Sequence, residues 1–173
     1  MKYAIISDSH DNYYNLAKAL EEIKKRGVTV GFHLGDICAP PMLDILAKET
    51  SIKWYFVWGN CDGARSLMLL RNKGNENFDF APESHRELEL PEGKIFLAHF
   101  PILAENAAAS GKYRAAFYGD NHQKKTETLQ NKTLLANPGE IAGTKTGQPS
   151  FGIWNPDNNS CEIINLSDFR VAK

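Results

Sequence analysis

The chain has few cysteines and no long hydrophobic run among its 173 residues. Cys38, Cys61 and Cys161 are scattered and form no CxxC pair, which argues against a disulfide framework. No apolar stretch approaches the roughly 20 residues that a membrane-spanning helix needs. The chain begins directly with a strand pattern and lacks the architecture of a signal peptide. From these absences we expect reduced thiols, a cytoplasmic location and no membrane partner.

An excess of charge of one sign is also missing. The 20 basic and 21 acidic residues nearly cancel, so the chain lacks the excess of positive charge that would indicate binding to extended nucleic acid or an anionic membrane. A glycine-rich phosphate loop and a nucleophilic triad are absent from the sequence as well. Since 42% of the residues are hydrophobic, a substantial core can form, and we expect one domain over residues 1–173.

What the sequence does contain is a series of five apolar, strand-like runs that each end in residues of metal-binding type. The residues that follow these runs are Asp8 and His10, Asp36, Asn60, His99, and Asp120 with His122. In an open α/β sheet, ligands bind beyond the carboxyl ends of the strands. The five ends therefore predict one shared site, and a dinuclear metal centre accounts for them best.

Strand-like and helix-like segments alternate through the first two thirds of the chain, which predicts a parallel core with right-handed crossovers. The predicted segments are strands at 2–7, 28–34 and 53–58 and helices at 16–26, 41–48 and 64–71. Residues 72–87 are polar and irregular, so we expect a surface loop there. The remainder is richer in strands, with a short helix near 102–109, which predicts a second sheet packed on the first.

The ligand types indicate which ions this site would take. Asp8 and His10 are two residues apart, and the period of a strand would aim both at one ion. Asp36 can bridge two ions with its two carboxylate oxygens. The amide of Asn60 and the imidazoles of three histidines complete a mixed N/O set, which suits Mn, Fe or Zn better than Ca.

Each motif taken alone has a simpler interpretation. Asp8 and His10 could cap the helix that follows, and Asn60 with Asp62 could cap the next one. Gly35-Asp36 could be an ordinary turn with an Asx-type hydrogen bond. These alternatives fail together, because turn chemistry does not require histidine at three strand ends. We expect His33 in the core and His85 on the surface.

Five motifs occur in a fixed order: Asp8-x-His10, Gly35-Asp36, Gly59-Asn60-Cys61-Asp62, His99 and Gly119-x-x-His122. Together they resemble the motifs of the calcineurin-like metallophosphoesterases, above all the small single-domain phosphodiesterases of bacteria and archaea. The resemblance covers nearly the whole chain. It implies an α/β fold, a two-sheet α/β sandwich with mixed sheets flanked by helices (αββα).

The resemblance also implies two divalent metal ions and their ligands. One ion is assigned to Asp8, His10, Asp36 and His122, and the other to Asp36, Asn60, His99 and the residue at 120. We expect Mn²⁺, with Fe, Zn, Ni and Mg as alternatives, and we expect Asp36, Asn60 and His99 to take part in catalysis. Two such ions can hold a hydroxide that attacks phosphorus.

This resemblance predicts a phosphodiesterase acting on a small phosphodiester, with nucleotides as candidates, in a chain that could form homo-oligomers. The competing hypothesis is a protein-interaction scaffold, because a retromer subunit resembles the same fold. A phosphomonoesterase is a third alternative, against which we count the lack of Arg or Lys beside the motifs.

Two departures from the family pattern bear on activity. Asp120 stands where the family usually has a histidine, so a third carboxylate would make the centre less positive and favour harder ions such as Mn²⁺ or Mg²⁺. Alternatively, Asp120 turns away and the second metal is held weakly. Cys61 stands where many relatives have a histidine that protonates the leaving group, so esters with good leaving groups should be favoured.

Overall fold

The computed structural model describes residues 1–167 and Arg170. Within these residues the chain forms eleven strands and four helices. The strands are β1 Tyr3–Ile6, β2 Val30–His33, β3 Lys53–Phe56, β4 Phe78–Phe80, β5 His85–Leu90, β6 Gly93–Ala98, β7 Ala115–Phe117, β8 Lys125–Thr128, β9 Leu134–Asn137, β10 Ser150–Asn155 and β11 Ser160–Asn165. The helices are α1 Tyr13–Lys25, α2 Pro41–Ala47, α3 Arg65–Arg71 and α4 Pro101–Ala109.

The strands form two mixed sheets. The first sheet has the order β11-β10-β1-β2-β3-β4, in which β1 to β4 are parallel and β10 and β11 are antiparallel additions. The second has the order β5-β6-β7-β9-β8, with β6, β7 and β9 parallel. The parallel strands of each sheet therefore end at one edge, as the alternation of helices and strands predicted.

The two sheets pack face to face around an aromatic core. The rings of Tyr3 and Phe32 stack at 5.4 Å in the first sheet, and Phe32 meets Phe117 of the second sheet at 6.1 Å. Helices α1, α2 and α3 cover the outer face of the first sheet, and α4 covers that of the second. The predicted αββα sandwich is confirmed.

Helix α1 shows how local sequence signals produce these layers. Leu16, Leu20 and Ile23 recur at helical spacing and are buried against the first sheet. The helix begins at Tyr13 and is capped by Asn12, whose side chain accepts a hydrogen bond from the Asn15 amide. The interpretation of Asp8 and His10 as caps is therefore wrong. None of the helices in the described part of the chain is long and apolar enough to cross a membrane.

The prediction of a loop over residues 72–87 was wrong in part. Strand β4 lies inside this range, and β5 begins at His85, whose side chain is nevertheless exposed as expected. Aromatic contacts explain β4, because the ring of Phe80 stacks on Phe56 at 4.4 Å and on Trp58 at 5.2 Å. Polar neighbours hid this alternating pattern. His33, by contrast, is fully buried as predicted.

Substitution of Leu16 tests the packing of α1 on the sheet. Leu16→Ala is expected to lower the free energy of unfolding by about 3 kcal/mol, because a fully buried side chain is removed and the cavity closes only in part. Tyr13→Ala, on the same helix and 59% exposed, should change it by less than about 0.5 kcal/mol. Urea unfolding followed by circular dichroism measures both values. Equal values for the two variants would contradict this packing.

Candidate metal centre

The structure brings the five predicted strand ends together. Backbone hydrogen bonds join the segments that follow neighbouring strands: the Asp8 amide donates to Gly35, that of His10 to Asp36, and that of Gly119 to His99. The two sheets are joined where the Asp120 amide donates to Oδ2 of Asp8 at 3.1 Å. The side chains after β1, β2, β3, β6 and β7 therefore surround one site.

The site residues reach their positions through an unusual backbone conformation. Asp8, His10, Asp36, Asp120 and His122 have φ angles of 53°, 37°, 56°, 66° and 61°. Few residues other than glycine adopt this left-handed region, and such strain concentrates at functional sites. Asp8 and His10 do face the same site, but strand periodicity is the wrong reason for it. Strand β1 ends at Ile6, and the left-handed backbone at Asp8 and His10 directs their side chains.

Two glycines allow the segments to approach so closely. A Cβ atom at Gly59 would lie 2.0 Å from Oδ1 of Asp36, and one at Gly119 would lie 2.0 Å from Oγ of Ser7 and 2.7 Å from Oδ2 of Asp8. Real Cβ atoms do not come this close to other atoms. Only glycine at these two positions leaves room for the carboxylates.

A first group of ligand atoms consists of Asp8, His10 and His122. Nε2 of His122 lies 3.4 Å from Oδ1 of Asp8, and Nε2 of His10 lies 3.8 Å from the same oxygen. All three atoms are buried and have no hydrogen-bond partner. Buried polar atoms are rarely left unpaired, and three that converge fit a bound cation.

A second group consists of Asp8, Asp36 and His99, whose ligand atoms lie within 4.8 Å of one another. Nε2 of His99 is 2.9 Å from Oδ1 of Asn60 and 3.6 Å from Oδ1 of Asp36. The other oxygen of Asp36 faces Nε2 of His10 at 3.4 Å. Asp36 thus lies between the two groups with one oxygen toward each, as a bridging ligand would. Both groups fit divalent metal ions.

The charges of these groups are coupled. Burial acts to raise the pKa of Asp8, but the neighbouring side chains of His10 and Ser7 and the nearby imidazoles outweigh it and hold the pKa below its ordinary value. The neighbouring Asp8 carboxylate in turn raises the pKa of His10. The pocket therefore favours an ionised carboxylate with positive charge beside it, which is the field a metal cation requires.

Comparison with known proteins agrees with this geometry. The family model of the calcineurin-like phosphoesterase superfamily domain matches residues 1–159. The chain belongs to the calcineurin-like phosphoesterase superfamily. Members of this superfamily use divalent metals, and the two groups of Asp and His side chains are clusters that could hold them.

Among its relatives in this superfamily, the chain is 31% identical to phosphodiesterase MJ0936 of Methanocaldococcus jannaschii, over 96% of this chain and 99% of that protein. The structure of an archaeal phosphodiesterase matches with a TM-score of 0.82 at 28% identity, over 96% and 100% of the two chains. Vps29 of Entamoeba histolytica in complex with Zn²⁺ matches with a TM-score of 0.64 at 15% identity, over 96% and 100%, and shares the fold.

Two carboxylates that support this phosphoesterase site were missed as such in the sequence. Glu140 is fully buried, and its Oε2 accepts from Nδ1 of His122 at 2.8 Å. Burial opposes its ionisation, but that bond and backbone and hydroxyl donors at Thr146 lower its pKa to about 2. A carboxylate in this position orients an imidazole and raises its basicity. In the sequence, the only hint of Glu140 was the turn Asn137-Pro138-Gly139 directly before it.

Asp62 is the other supporting carboxylate, and it does not cap α3, which begins after Ala64 without any side-chain cap. Its oxygens accept from the amides of Asp36, Cys38 and Gly59 at 3.0, 2.9 and 2.7 Å. Burial raises its pKa although these backbone bonds oppose the rise. Asp62 thus fixes the segments after β2 and β3 against each other.

Two glycines after β3 provide a matched test of this packing. Gly59→Ala is expected to lower the free energy of unfolding by about 1–3 kcal/mol, because its Cβ would collide with the Asp36 carboxylate. A Cβ at Gly63 would meet nothing within 4 Å, so Gly63→Ala should change the value by less than about 0.5 kcal/mol. Denaturant unfolding measures both, and a harmless Gly59→Ala would refute the close approach.

Proposed function

We propose that this protein is a metal-dependent phosphodiesterase that acts on a small phosphodiester. The observation that carries the proposal is the convergence of buried, unpaired Asp and His atoms at the strand ends of a chain that belongs to the phosphoesterase superfamily. The 31% identity to a phosphodiesterase over almost the full length of both chains supports the diester over other phosphate esters.

Seven residues would hold two divalent ions. Asp8, His10, Asp36 and His122 would bind one ion, and Asp36, Asn60, His99 and Asp120 the other. When bound, a pair of divalent ions lowers the pKa of water and withdraws charge from a phosphoryl group. Mn²⁺ is the ion we favour, because the set mixes imidazole nitrogen with hard oxygen donors.

The protein's own contribution is orientation. Nδ1 of His99 lies 2.8 Å from the Leu34 carbonyl and donates to it, which leaves Nε2 without a proton and facing the site. Glu140 does the same for His122 with a carboxylate. Both imidazoles thus present a lone pair with a fixed ring direction, so little reorganisation is needed when an ion or a phosphoryl oxygen binds.

The phosphomonoesterase alternative gains one feature from the fold. Lys145 follows β9 and is distant in sequence from the motifs, yet its charge lowers the pKa of His10 against the larger effect of Asp8. One exposed lysine suits the single negative charge of a diester better than the dianion of a monoester. A nucleotide phosphodiester is the substrate class we favour, and the charge balance of the chain does not favour extended nucleic acid.

The scaffold alternative has less support. A Vps29 match at 15% identity reflects the shared fold. A pure scaffold gains nothing from burying Asp8 and Asp36 side by side, because buried charge costs stability unless it is compensated. The ligand set is therefore better explained by metal chemistry.

Asp36 provides the test of this function. Asp36→Asn is expected to lower kcat for the chromogenic diester bis(p-nitrophenyl) phosphate in Mn²⁺ by about 10²–10³-fold, because the shared carboxylate is neutralised. Asp157→Asn, in the exposed turn between β10 and β11, should leave kcat unchanged. Chelator treatment should abolish turnover and Mn²⁺ should restore it. A protein that binds Mn²⁺ and hydrolyses neither diester nor monoester would support the scaffold instead.

The proposal that Asp120 is a ligand of the second ion needs a separate test. Its Oδ1 lies 3.6 Å from Nε2 of His99, and its side chain is 36% exposed. If it binds the second ion, Asp120→His should raise the affinity for Zn²⁺ relative to Mg²⁺ by about 10-fold, because nitrogen replaces a hard oxygen. Metal content after equilibration with both ions measures this ratio, with Asp157→His as the control. An unchanged ratio and an unchanged diesterase rate would remove Asp120 from the ligand set.

A further inference from the structure

A third group of potential ligands lies directly beside the proposed centre and shares only His10 with it. Sγ of Cys38, Sγ of Cys61 and a ring nitrogen of His10 all lie within 4.8 Å of one another. We propose that these three residues form a separate site for a thiophilic ion of the Zn²⁺ class. Nothing in the superfamily motifs requires cysteine at position 38.

The distances suit such an ion. Sγ of Cys38 lies 3.5 Å from Nδ1 of His10. In a tetrahedral site with Zn–S of about 2.3 Å and Zn–N of about 2.0–2.1 Å, sulfur and nitrogen ligands are about 3.5 Å apart. Three protein ligands leave the fourth position open, and the exposed side chain of Cys61 gives access from solvent. The ion can therefore enter without unfolding.

Both cysteines are fixed by neighbouring carboxylates before any ion arrives. The Cys38 amide donates to Oδ1 of Asp62 at 2.9 Å, and the Cys61 amide donates to Oδ1 of Asp36 at 2.8 Å. Cys38 also has a φ of 72°, a conformation that cysteine rarely adopts. Such strain persists only where surrounding contacts impose it, and here it directs the thiol at His10.

Negative charge around this pair favours a divalent ion. The carboxylates of Asp62 and Asp36 lie beside the two cysteines, because they accept hydrogen bonds from the Cys38 and Cys61 amides. They attract a divalent cation, which displaces the thiol protons: one M²⁺ replaces two thiol protons, and two H⁺ leave for solvent.

His10 would connect this site to the proposed dinuclear centre. A neutral imidazole has one lone pair, and Nδ1 of His10 faces Cys38 whereas Nε2 faces Asp36. An ion bound at Nδ1 leaves the proton on Nε2, so His10 can no longer serve the Asp8–His10–His122 group. The two sites therefore compete for one imidazole. This competition rests on the proposed function, whereas the thiol site does not.

Cd²⁺ is the probe for the thiol site, because cadmium–thiolate bonds absorb in the ultraviolet and bonds to carboxylate or imidazole do not. Titration of the chelator-treated full chain should give one thiolate-bound Cd²⁺ and release two protons. Cys38→Ala and Cys61→Ala should each weaken this binding by at least about 10-fold. Cys161→Ala, in β11 and outside the group, should have no effect. Circular dichroism confirms that each variant is folded.

Two outcomes would overturn the thiol site: a charge-transfer band that survives both cysteine variants, or a Cys38–Cys61 disulfide in protein prepared without reductant that excludes Cd²⁺. Saturating Mn²⁺ should weaken Cd²⁺ binding about 10-fold, and it should no longer do so in His122→Ala. Unchanged Cd²⁺ affinity in Mn²⁺ would refute the shared imidazole. Absence of diesterase activity would overturn the proposed function and would leave the cadmium results standing.

Discussion

Two carboxylates buried side by side are the constraint on which this structure depends. Asp8 and Asp36 are 0% and 2% exposed and follow neighbouring parallel strands. Moving an ionised carboxylate out of water costs several kcal/mol unless donors or cations compensate. The backbone compensates in part, since the Asp120 amide donates to Asp8 and the Cys61 amide to Asp36. The oxygens that remain face imidazole nitrogens, and together these atoms create the requirement for a cation.

The strain around these carboxylates is held by contacts far from the site. Left-handed residues cost about 1–3 kcal/mol each, and five of the proposed ligands adopt this conformation. The amides of Ile141 and Ala142 donate to the carbonyls of Ser7 and Asp8, and Asn15 of α1 in turn donates to the carbonyls of Ile141 and Ala142. A helix on the outer face of the first sheet therefore fixes the segment after β1. The packing of that helix thus offsets the backbone strain at the site.

The layers of the fold, and the meeting of the candidate site residues at one place, could be predicted from sequence because they depend on order along the chain. Parallel strands bring their carboxyl ends to one edge of each sheet whatever their register, and the packing of the two sheets brings the five polar ends together. The supporting residues depend on donors from distant segments, which no local pattern encodes. Asp62 accepts hydrogen bonds from amides 24–26 residues before it, and Glu140, in the segment after β9, accepts one from His122, in the segment after β7. The prediction missed strand β4 for a related reason, because this strand is stabilised by the stacking of Phe80 on Phe56 and Trp58.

The three imidazoles of the site differ in the partner of their Nδ1 atoms, and this difference ranks them as ligands. His122 faces the carboxylate of Glu140, His99 the carbonyl of Leu34, and His10 the thiol of Cys38. A carboxylate raises the basicity of the opposite nitrogen most, and sulfur is a weak acceptor that fixes a tautomer poorly. His10 is therefore the imidazole whose two nitrogens can most easily exchange roles. In the proposed centre we therefore expect the metal content to change most easily on the side nearest Cys38.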